Sequence, residues 1–304
     1  MLTHTTARDL AATLDAWRAR GLRWAFVPTM GALHEGHLTL VRRARAAHGR
    51  VVVSVFVNPT QFDRADDLAR YPRQPARDAE LLRGAGADVL YLPGVADVYP
   101  DGTAATRTPD LAGLDARYEG ASRPGHFDGV VQVVRRLVEV VRPAAMFMGQ
   151  KDAQQVAVLR RAAAQEFWPV EIVSVPIVRE PSGLAMSSRN GQLSPAGFAK
   201  AAILYACLAE AATAYASGGL PRDLEAAATA RLAAAGLRPE YFDAVDARDF
   251  TRLPNVAAPE QCAEAEPLLV AVAWCDGVRL IDNYAIGVPS RAESETPPHA
   301  AANL

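Results

Sequence analysis

The sequence predicts an α/β protein, with a doubly wound, Rossmann-like parallel sheet followed by a smaller C-terminal α+β domain. Short apolar segments alternate several times with helix-like segments, which is the order expected of a parallel sheet with right-handed crossovers. After Ser194 the chain changes to Ala-rich helical segments and a hairpin signal. Because 304 residues is long for a single core, we expect two domains, at residues 1–186 and 187–288, followed by a tail at 289–304.

The predicted elements of the first domain are punctuated by Gly, Pro and Asn residues. Leu10, Leu14 and Trp17 form one apolar stripe of the first helix, which ends at Gly21. The run VVVSVFV is almost entirely β-branched, which is typical of a strand covered on both faces. The predicted helices are residues 8–20, 37–48, 75–82, 130–141 and 153–164, and the predicted strands are a segment ending at 24–27 and residues 51–57, 88–92, 145–148 and 171–178.

The C-terminal domain is predicted from helix caps and one turn. Ser194 as N-cap with Pro195 at the first helical position opens an Ala-rich helix that runs to about Ala216. A second helix is predicted at residues 223–235, and two strands at 268–274 and 278–283 are joined by Asp-Gly, a strong hairpin signal. The last residues are polar and contain Pro without periodicity, so we expect a disordered tail.

The composition argues against several classes of protein. With 32 basic and 34 acidic residues, the chain lacks the positive charge that nucleic acids or anionic membranes attract. Its cysteines, Cys207, Cys262 and Cys275, have no CxxC spacing, which favours buried reduced thiols over disulfides. The N-terminus lacks the apolar core of a signal peptide, and no run approaches the ~20 apolar residues of a membrane span. We therefore expect a soluble, cytoplasmic protein.

The stretch FVPTMGALHEGH at residues 26–37 predicts an anion site, because a buried strand there breaks into a Gly-bearing turn and a helix. Free N–H groups and the helix dipole at such a junction attract phosphate. His34 and His37 lie three residues apart on one face, and Gly36 lets a ligand approach the backbone. Imidazole N–H groups can donate to phosphoryl oxygens. Helix capping by two polar residues is the simpler alternative, while zinc is disfavoured because the i, i+4 spacing of HExxH is missing.

Other polar clusters follow later strands, and parallel strands bring such clusters to one edge of the sheet. Lys151 at a helix N-terminus is unfavourable by up to about 1 kcal/mol unless an anion is near, and Asp152 beside it is a conventional N-cap. Nothing matches a Walker A loop, and no GxGxxG follows the first strand. The remaining candidates are Ser187, Ser188 and Arg189 as a phosphate clamp or a plain linker, Asn58 and Gln61 as substrate-orienting amides, Asp78 as a magnesium ligand, and Arg123 and His126 as lid residues or residues without a role.

Six stretches are similar, in order, to one known family: PTMGALHEGH (28–37), FVNPTQF (56–62), YPR (71–73), GHFDGV (125–130), GQKDAQQ (149–155) and VREPSGLAMSSRN (178–190). Through them the chain resembles the AMP-forming pantoate–β-alanine ligases, or pantothenate synthetases, of the HIGH-type nucleotidyltransferase superfamily. HEGH is similar to the HIGH signature, and AMSSR stands where that superfamily often has KMSKS. These stretches are spread over most of the predicted first domain, whereas the C-terminal domain resembles the family more weakly.

The resemblance implies a two-step reaction. ATP and (R)-pantoate first give pantoyl adenylate and pyrophosphate, and β-alanine then displaces AMP to give pantothenate. It also implies Mg²⁺, a homodimer with contacts largely from the first domain, and a C-terminal domain that folds over the active site as a lid. Gln150, Ala153 and Ser182 depart from residues usual in the family, at positions that bear on ribose and adenine rather than on phosphate.

The resemblance also assigns site residues. His37 is expected to donate a proton and a transition-state hydrogen bond, and Lys151 to neutralise charge at the α-phosphate, with Mg²⁺ held by Asp78. The expected ATP contacts are Met30, Gly31, His34, His37, Gly149, Lys151, Asp152, Val178, Met186, Ser187, Ser188 and Arg189. The expected pantoate or β-alanine contacts are Asn58, Gln61, Arg123 and Gln155.

Two other functions compete with this prediction. A simple nucleotidyltransferase would stop at the adenylylated product, but NPTQF and Gln155 supply a second polar pocket for a small acid beside the nucleotide. A catalytically silent nucleotide-binding module is the second alternative. His37, Lys151 and Arg189 argue against it, because binding alone has less need of cations directed at one phosphate.

Overall fold

The first part of the chain forms a six-stranded parallel sheet. The computed structural model describes residues 1–62, 65–104, 108–256 and 265–286. The strands follow one another in the order β1-β4-β3-β2-β5-β6, and every neighbouring pair is parallel. The doubly wound sheet predicted from the sequence is thus confirmed. The strands are Leu2–His4 (β1), Ala25–Thr29 (β2), Val51–Val55 (β3), Val89–Tyr91 (β4), Ala145–Gly149 (β5) and Glu171–Val175 (β6).

Helices connect these strands, and most predicted ends differ from the observed ones by a few residues. The predicted helix at 130–141 begins earlier, at His126, after Gly125 in the left-handed region (φ 78°). Strand β6 stops at Val175 rather than at residue 178. The helices are Ala7–Ala19 (α1), Glu35–His48 (α2), Ala65–Arg70 (α3), Pro75–Ala85 (α4), Val95–Val98 (α5), Glu119–Ser122 (α6), His126–Val141 (α7) and Ala153–Gln165 (α8).

Both faces of the sheet are buried, which explains why its strands are nearly continuous apolar runs. In β2, Phe26 packs into one apolar cluster while Ala25 and Val27 pack into another on the opposite face. In β3, Val52 and Val53 are divided between the same two clusters. This alternation follows from the period of two residues along a strand.

The strand order reverses between β2 and β5, because the chain crosses from β4 back to the other side of β2. In an open parallel sheet, such a reversal leaves a crevice outside the carboxyl ends of the strands, where ligands bind. The residues that follow Thr29 of β2 and Gly149 of β5 therefore meet at this crevice.

The second half of the chain forms an antiparallel sheet with three helices. Its strands are ordered β7-β8-β9, and the Asp276-Gly277 hairpin is confirmed, with both residues at positive φ (51° and 76°). Strand β7 was missing from the prediction. The elements are Pro195–Ala201 (α9), Ile203–Ala216 (α10), Pro221–Ala234 (α11), Arg238–Asp246 (β7), Pro267–Cys275 (β8) and Val278–Ala285 (β9).

The helix predicted from Ser194 to about Ala216 is interrupted at Ala202, between α9 and α10. Among the described residues, the stretch Pro195–Ala216 is long and apolar enough to cross a membrane, judged by length and composition alone. Lys200 and Glu210 lie within it, so its longest uninterrupted apolar run is shorter than the ~20 residues considered in the sequence. In the structure Leu204, Leu208 and Tyr215 of this stretch are buried in the apolar core around the second sheet, as core helices of that composition commonly are.

Other predictions concern the domain limits, the tail and the cysteines. The core of the second half contains Leu184 and residues between 201 and 286, so the boundary at residue 186 stays a prediction. The predicted disordered tail lies outside the described residues, as does Cys262. Cys207 and Cys275 are buried and free.

Candidate active site

The turn between β2 and α2 is held by a carboxylate from α4. Gly31 and Ala32 both have positive φ (84° and 52°). Asp78 accepts hydrogen bonds from the backbone N–H groups of Ala32 (3.1 Å) and Leu33 (2.9 Å). A Cβ atom on Gly31 would lie 2.9 Å from Asp78 Oδ2, so this tight approach requires glycine.

The magnesium role predicted for Asp78 is contradicted by this arrangement. Asp78 is only 1% exposed, and each of its carboxylate oxygens already accepts a backbone N–H. Within the part of the chain that the structure describes, no three His, Cys, Asp or Glu side chains gather into a possible metal site. Asp78 therefore shapes the turn, and its carboxylate lacks the exposed oxygen that a hard cation needs.

The histidine pair caps helix α2 reciprocally. His34 is the N-cap residue, and its Nδ1 accepts from the Gly36 N–H at 3.2 Å. The Nδ1 of His37 accepts from the His34 N–H at 3.3 Å. Since a backbone N–H can only donate, each Nδ1 is unprotonated, and each neutral ring carries its proton on Nε2. Capping and ligand binding are therefore compatible, because the cap leaves Nε2–H as the donor that each ring can offer.

The environment keeps both imidazoles neutral. Burial, followed by the nearby charge of Lys151, lowers the pKa of His34 from 6.5 to about 4. Burial, followed by His34, lowers the pKa of His37 to about 3. The two ring centroids lie 4.1 Å apart, so protonation of one ring would disfavour protonation of the other. Near neutral pH the pair is therefore a set of hydrogen-bond donors without positive charge.

The positive charge comes from the turn after β5. Gln150–Asp152 forms a short 3₁₀ turn that leads into α8. The Nζ of Lys151 lies 3.8 Å from Asp152 Oδ1, and the lysine side chain is 19% exposed. Asp152 occupies the predicted N-cap position of α8, but its side chain makes no capping hydrogen bond. Its carboxylate instead pairs with Lys151 near the two histidines.

A cavity of about 250 Å³ lies at the crevice between β2 and β5. The predicted ATP contact Gly31 and the metal candidate Asp78 are not among its lining residues. The predicted phosphate-binding residues that line it are His34, His37, Lys151, Ser187, Ser188 and Arg189. The other predicted residues that line it are Met30, Gly149, Asp152, Val178 and Met186 for the nucleoside, and Asn58, Gln61, Arg123 and Gln155 for the acid or amine.

The loop that carries Ser187, Ser188 and Arg189 is an ordered turn. The Oγ of Ser187 accepts from the Arg189 N–H at 3.2 Å, and Ser188–Gln192 forms a 3₁₀ helix. The buried Asn190 donates from Nδ2 to the Ala185 carbonyl at 3.0 Å. This order argues against the alternative of a plain linker, because the two hydroxyls and the guanidinium are held at the cavity.

Asn58, predicted to contact substrate, positions its neighbour Gln61. Asn58 is 1% exposed, and its Oδ1 accepts from the Tyr99 hydroxyl (2.8 Å) and the Thr60 hydroxyl (3.1 Å). Its Nδ2 donates to Gln61 Oε1 (3.1 Å) and to the Gly129 carbonyl (3.2 Å). Because these bonds use the amide fully, Asn58 is suited to positioning Gln61, and its contact with substrate stays a prediction.

His126 fixes the backbone of Gln61. The Nη1 of Arg123 donates to His126 Nε2 (3.2 Å), so the His126 proton lies on Nδ1, which donates to the Gln61 carbonyl (2.9 Å). Burial, followed by Arg123, lowers the pKa of His126 to about 4. The sequence left His126 open and missed Tyr99, because Tyr99 lies 41 positions from Asn58 in a segment without a recognisable motif.

Comparison with known proteins assigns the chain to a family. The family model for pantoate-beta-alanine ligase matches residues 2–285. The pantothenate synthetase of Thioalkalivibrio sulfidiphilus is 47% identical, with 95% of this chain and 99% of that protein aligned. The pantothenate synthetase of Rhizorhabdus wittichii is 46% identical, with 91% and 96% aligned.

Solved structures agree. The pantothenate synthetase of Thermus thermophilus has a TM-score of 0.83 and 40% identity, covering 93% of this chain and 99% of that one. The pantoate-beta-alanine ligase of Francisella tularensis has a TM-score of 0.77 and 30% identity, covering 94% and 97%. With its parallel sheet, its histidine pair and its lysine turn, the chain belongs to the pantoate–β-alanine ligase family.

Proposed function

We propose that this protein condenses (R)-pantoate with β-alanine to form pantothenate, with ATP as the source of energy and AMP and pyrophosphate as products. Membership of the pantoate–β-alanine ligase family supports the overall reaction. The Francisella tularensis relative is a complex with Beta-gamma ATP and Beta-alanine, which supports both molecules as substrates here. The observation that carries the assignment of the site is the convergence of two neutral imidazoles and Lys151 on one cavity.

In the first step, a pantoate carboxylate oxygen attacks the α-phosphorus of ATP, and the bond to pyrophosphate breaks. A carboxylate is already a nucleophile, so this step needs no base and depends on positioning and on stabilisation of the spreading negative charge. The Nε2–H groups of His34 and His37 and the ammonium of Lys151 supply that stabilisation. Since burial lowers the pKa of His37 to about 3, we assign it a hydrogen-bonding role rather than that of a cationic acid.

The leaving pyrophosphate is held by the loop of Ser187, Ser188 and Arg189. Two hydroxyls and a guanidinium match phosphate oxygens in both geometry and charge. The loop follows directly on Met186, and β6 leads towards Val178, so the adenosine lies between these residues and Gly149, with Met30 and Asp152 adjoining it. Gly31 contributes through its turn rather than through a cavity surface.

Pantoate binds on the other side of the α-phosphate, against Gln61 and Gln155. Asn58 and His126 hold the side chain and backbone of Gln61, so its amide is oriented before substrate arrives, which reduces the cost of binding. In the second step the neutral β-alanine amine attacks the acyl carbon of pantoyl adenylate, AMP leaves with the electrons of the broken C–O bond, and the new amide nitrogen loses a proton to solvent. Arg123, which lines the same cavity, is suited to the β-alanine carboxylate.

Mg²⁺, a homodimer and a cytoplasmic location complete the proposal by analogy with the family. Asp78 does not fit a magnesium ligand, because each of its carboxylate oxygens accepts a backbone N–H. Size-exclusion chromatography with light scattering tests the homodimer. The near-balanced charge of the chain supports small-molecule partners and no nucleic acid.

The reaction is tested by following AMP and pantothenate while each substrate is omitted in turn. AMP formation that requires ATP, pantoate and β-alanine together supports the ligase, and mass spectrometry of ATP with pantoate alone should detect enzyme-bound pantoyl adenylate. Nucleotide turnover that needs no amine would favour a simple nucleotidyltransferase. Binding of ATP without any turnover would favour a silent nucleotide-binding module.

A further inference from the structure

Asn283 of the second sheet holds the turn that carries Lys151. Asn283 lies on β9 and is 3% exposed. Its Nδ2 donates to the carbonyl oxygens of Gln150 (2.8 Å) and Lys151 (3.0 Å). The amide of Asn283 thus ties two carbonyl oxygens of the turn to the second sheet, whereas the Asp152 side chain makes no capping hydrogen bond.

The preceding residue on β9 reaches the other cation-bearing segment. Asp282 is 4% exposed and accepts from both terminal nitrogens of Arg179, at 2.6 and 3.0 Å. Arg179 forms a β-bridge with Ala185, two residues before the loop that begins at Ser187. The Nη2 of Arg179 also donates to the Asn283 carbonyl at 3.2 Å. Two adjacent residues of β9 thus contact the turn that carries Lys151 and the arginine that pairs with the chain just before Ser187.

We propose that Asn283 is a positioning residue for the first step of the reaction, acting through Lys151. Its two hydrogen bonds hold the Lys151 backbone at a fixed place relative to the second sheet, so that the ammonium meets the α-phosphate. Without the amide, two partly buried carbonyls lose their donors, and the turn moves to regain partners. A displacement of about 1 Å in a catalytic group can lower a rate about 10²-fold.

This inference rests on the proposed function, because it needs Lys151 to act in adenylate formation. The test is a double-mutant cycle of the wild type, Asn283→Leu, Lys151→Ala and the double variant, measured as the single-turnover rate of pantoyl adenylate formation. Asn283→Leu should lower the rate about 10–100-fold in the wild-type background. In the Lys151→Ala background it should lower the rate less than about 2-fold, since the group that it positions is gone. An equal fold-loss in both backgrounds would overturn the proposal.

A matched control separates positioning from loss of stability. Leu269 is 1% exposed in the core of the same sheet and is not among the residues that line the cavity. Leu269→Ala should lower the melting temperature while leaving the single-turnover rate within about 2-fold of the wild type, because it removes packing without touching the lysine turn. Should Asn283→Leu fail to fold, Asn283→Asp, which keeps the side-chain volume and removes the donor, replaces it in the cycle.

Hydrogen exchange provides a readout that does not depend on the reaction. In Asn283→Leu, backbone amides over residues 150–155 should exchange faster, whereas in Leu269→Ala they should change no more than the rest of the chain. A wild-type protein that makes no pantoyl adenylate would refute the proposed function, while faster exchange would still support the contact. Unchanged exchange over 150–155 would overturn the positioning role even if the ligase activity is present.

Discussion

Replacing His37 by alanine should remove most of the catalytic activity and little of the stability. The change deletes one Nε2–H donor at the cavity and one Nδ1 acceptor of the helix cap. Two other contacts of the junction do not depend on the His37 ring. These are the bond from the Gly36 N–H to His34 Nδ1 and the bonds from the turn to the Asp78 carboxylate.

The two losses differ in size. The cap bond is a neutral hydrogen bond of 3.3 Å, and such a bond contributes about 0.5–1.5 kcal/mol to the free energy of unfolding. A donor to a transition-state oxyanion contributes more, because its loss typically lowers the rate 10²–10³-fold, or about 2.7–4 kcal/mol. We therefore expect a folded His37→Ala protein with kcat reduced at least about 10²-fold.

The assay is a continuous measurement of AMP formation with saturating ATP, pantoate and β-alanine, paired with urea unfolding. His48→Ala is the matched control, since His48 lies at the opposite end of the same helix, where its ring contacts Phe147 at 5.9 Å. The control should keep wild-type turnover within about 2-fold, because His48 makes no contact with the cavity. Near-normal turnover of a folded His37→Ala would refute the role assigned to this imidazole.

Three further predictions follow from the same contacts. Lys151→Ala should lower the single-turnover rate of adenylate formation about 10²-fold, with little change in ATP affinity. The control Lys200→Ala, at an exposed lysine, should change neither the rate nor the affinity. A loss confined to ATP binding would show that Lys151 acts before the chemical step. Asn58→Asp removes two donated bonds from a buried site and should lower the free energy of unfolding by about 2–4 kcal/mol in urea, while surface Asn255→Asp, which keeps the acceptor used by the Arg222 N–H, should be neutral. Burial lowers the folded-state pKa values of His34 and His126 from 6.5 to about 4. Below pH 6.5 these two histidines therefore bind more protons in the unfolded chain than in the folded protein. The free energy of unfolding should thus be highest above pH 6.5 and fall towards pH 4, with a smaller fall in His126→Gln; an identical fall in both proteins would contradict the neutral state assigned to His126.

The sheet and the position of its ligand site follow from local sequence patterns. β-branched runs such as Val51–Val55 and the polar residues after each strand are visible without any knowledge of distant contacts. Strand β7 was not predicted, because Pro239 and a change of register between Pro239 and Tyr241 disturb the alternation of apolar and polar residues. Its exposed positions also carry charge. The Ala202 interruption likewise has no signal, since Ala202 keeps right-handed helical dihedrals (φ −59°, ψ −23°) and alanine favours a helix.

The candidate site was predictable where its residues follow strands, and unpredictable where distant partners fix them. Nothing near Asn58 in the sequence shows that Tyr99 occupies its oxygen. Asp78 has the chemistry of a metal ligand, and only the fold shows that its two oxygens are used by the backbone of the turn. Asn283 lies 132 positions from Lys151, so the hydrogen bond between them follows from the packing of two sheets.

The central claim is that two imidazoles after β2 and the lysine after β5 act on one triphosphate. A crystal structure with a non-hydrolysable ATP analogue and pantoate tests it most directly. We predict that His34 Nε2, His37 Nε2 and Lys151 Nζ all lie within about 3.2 Å of phosphate oxygens of a single nucleotide, with the pantoate carboxylate facing the α-phosphorus. A nucleotide bound with Lys151 and the imidazoles directed to separate places would contradict the account.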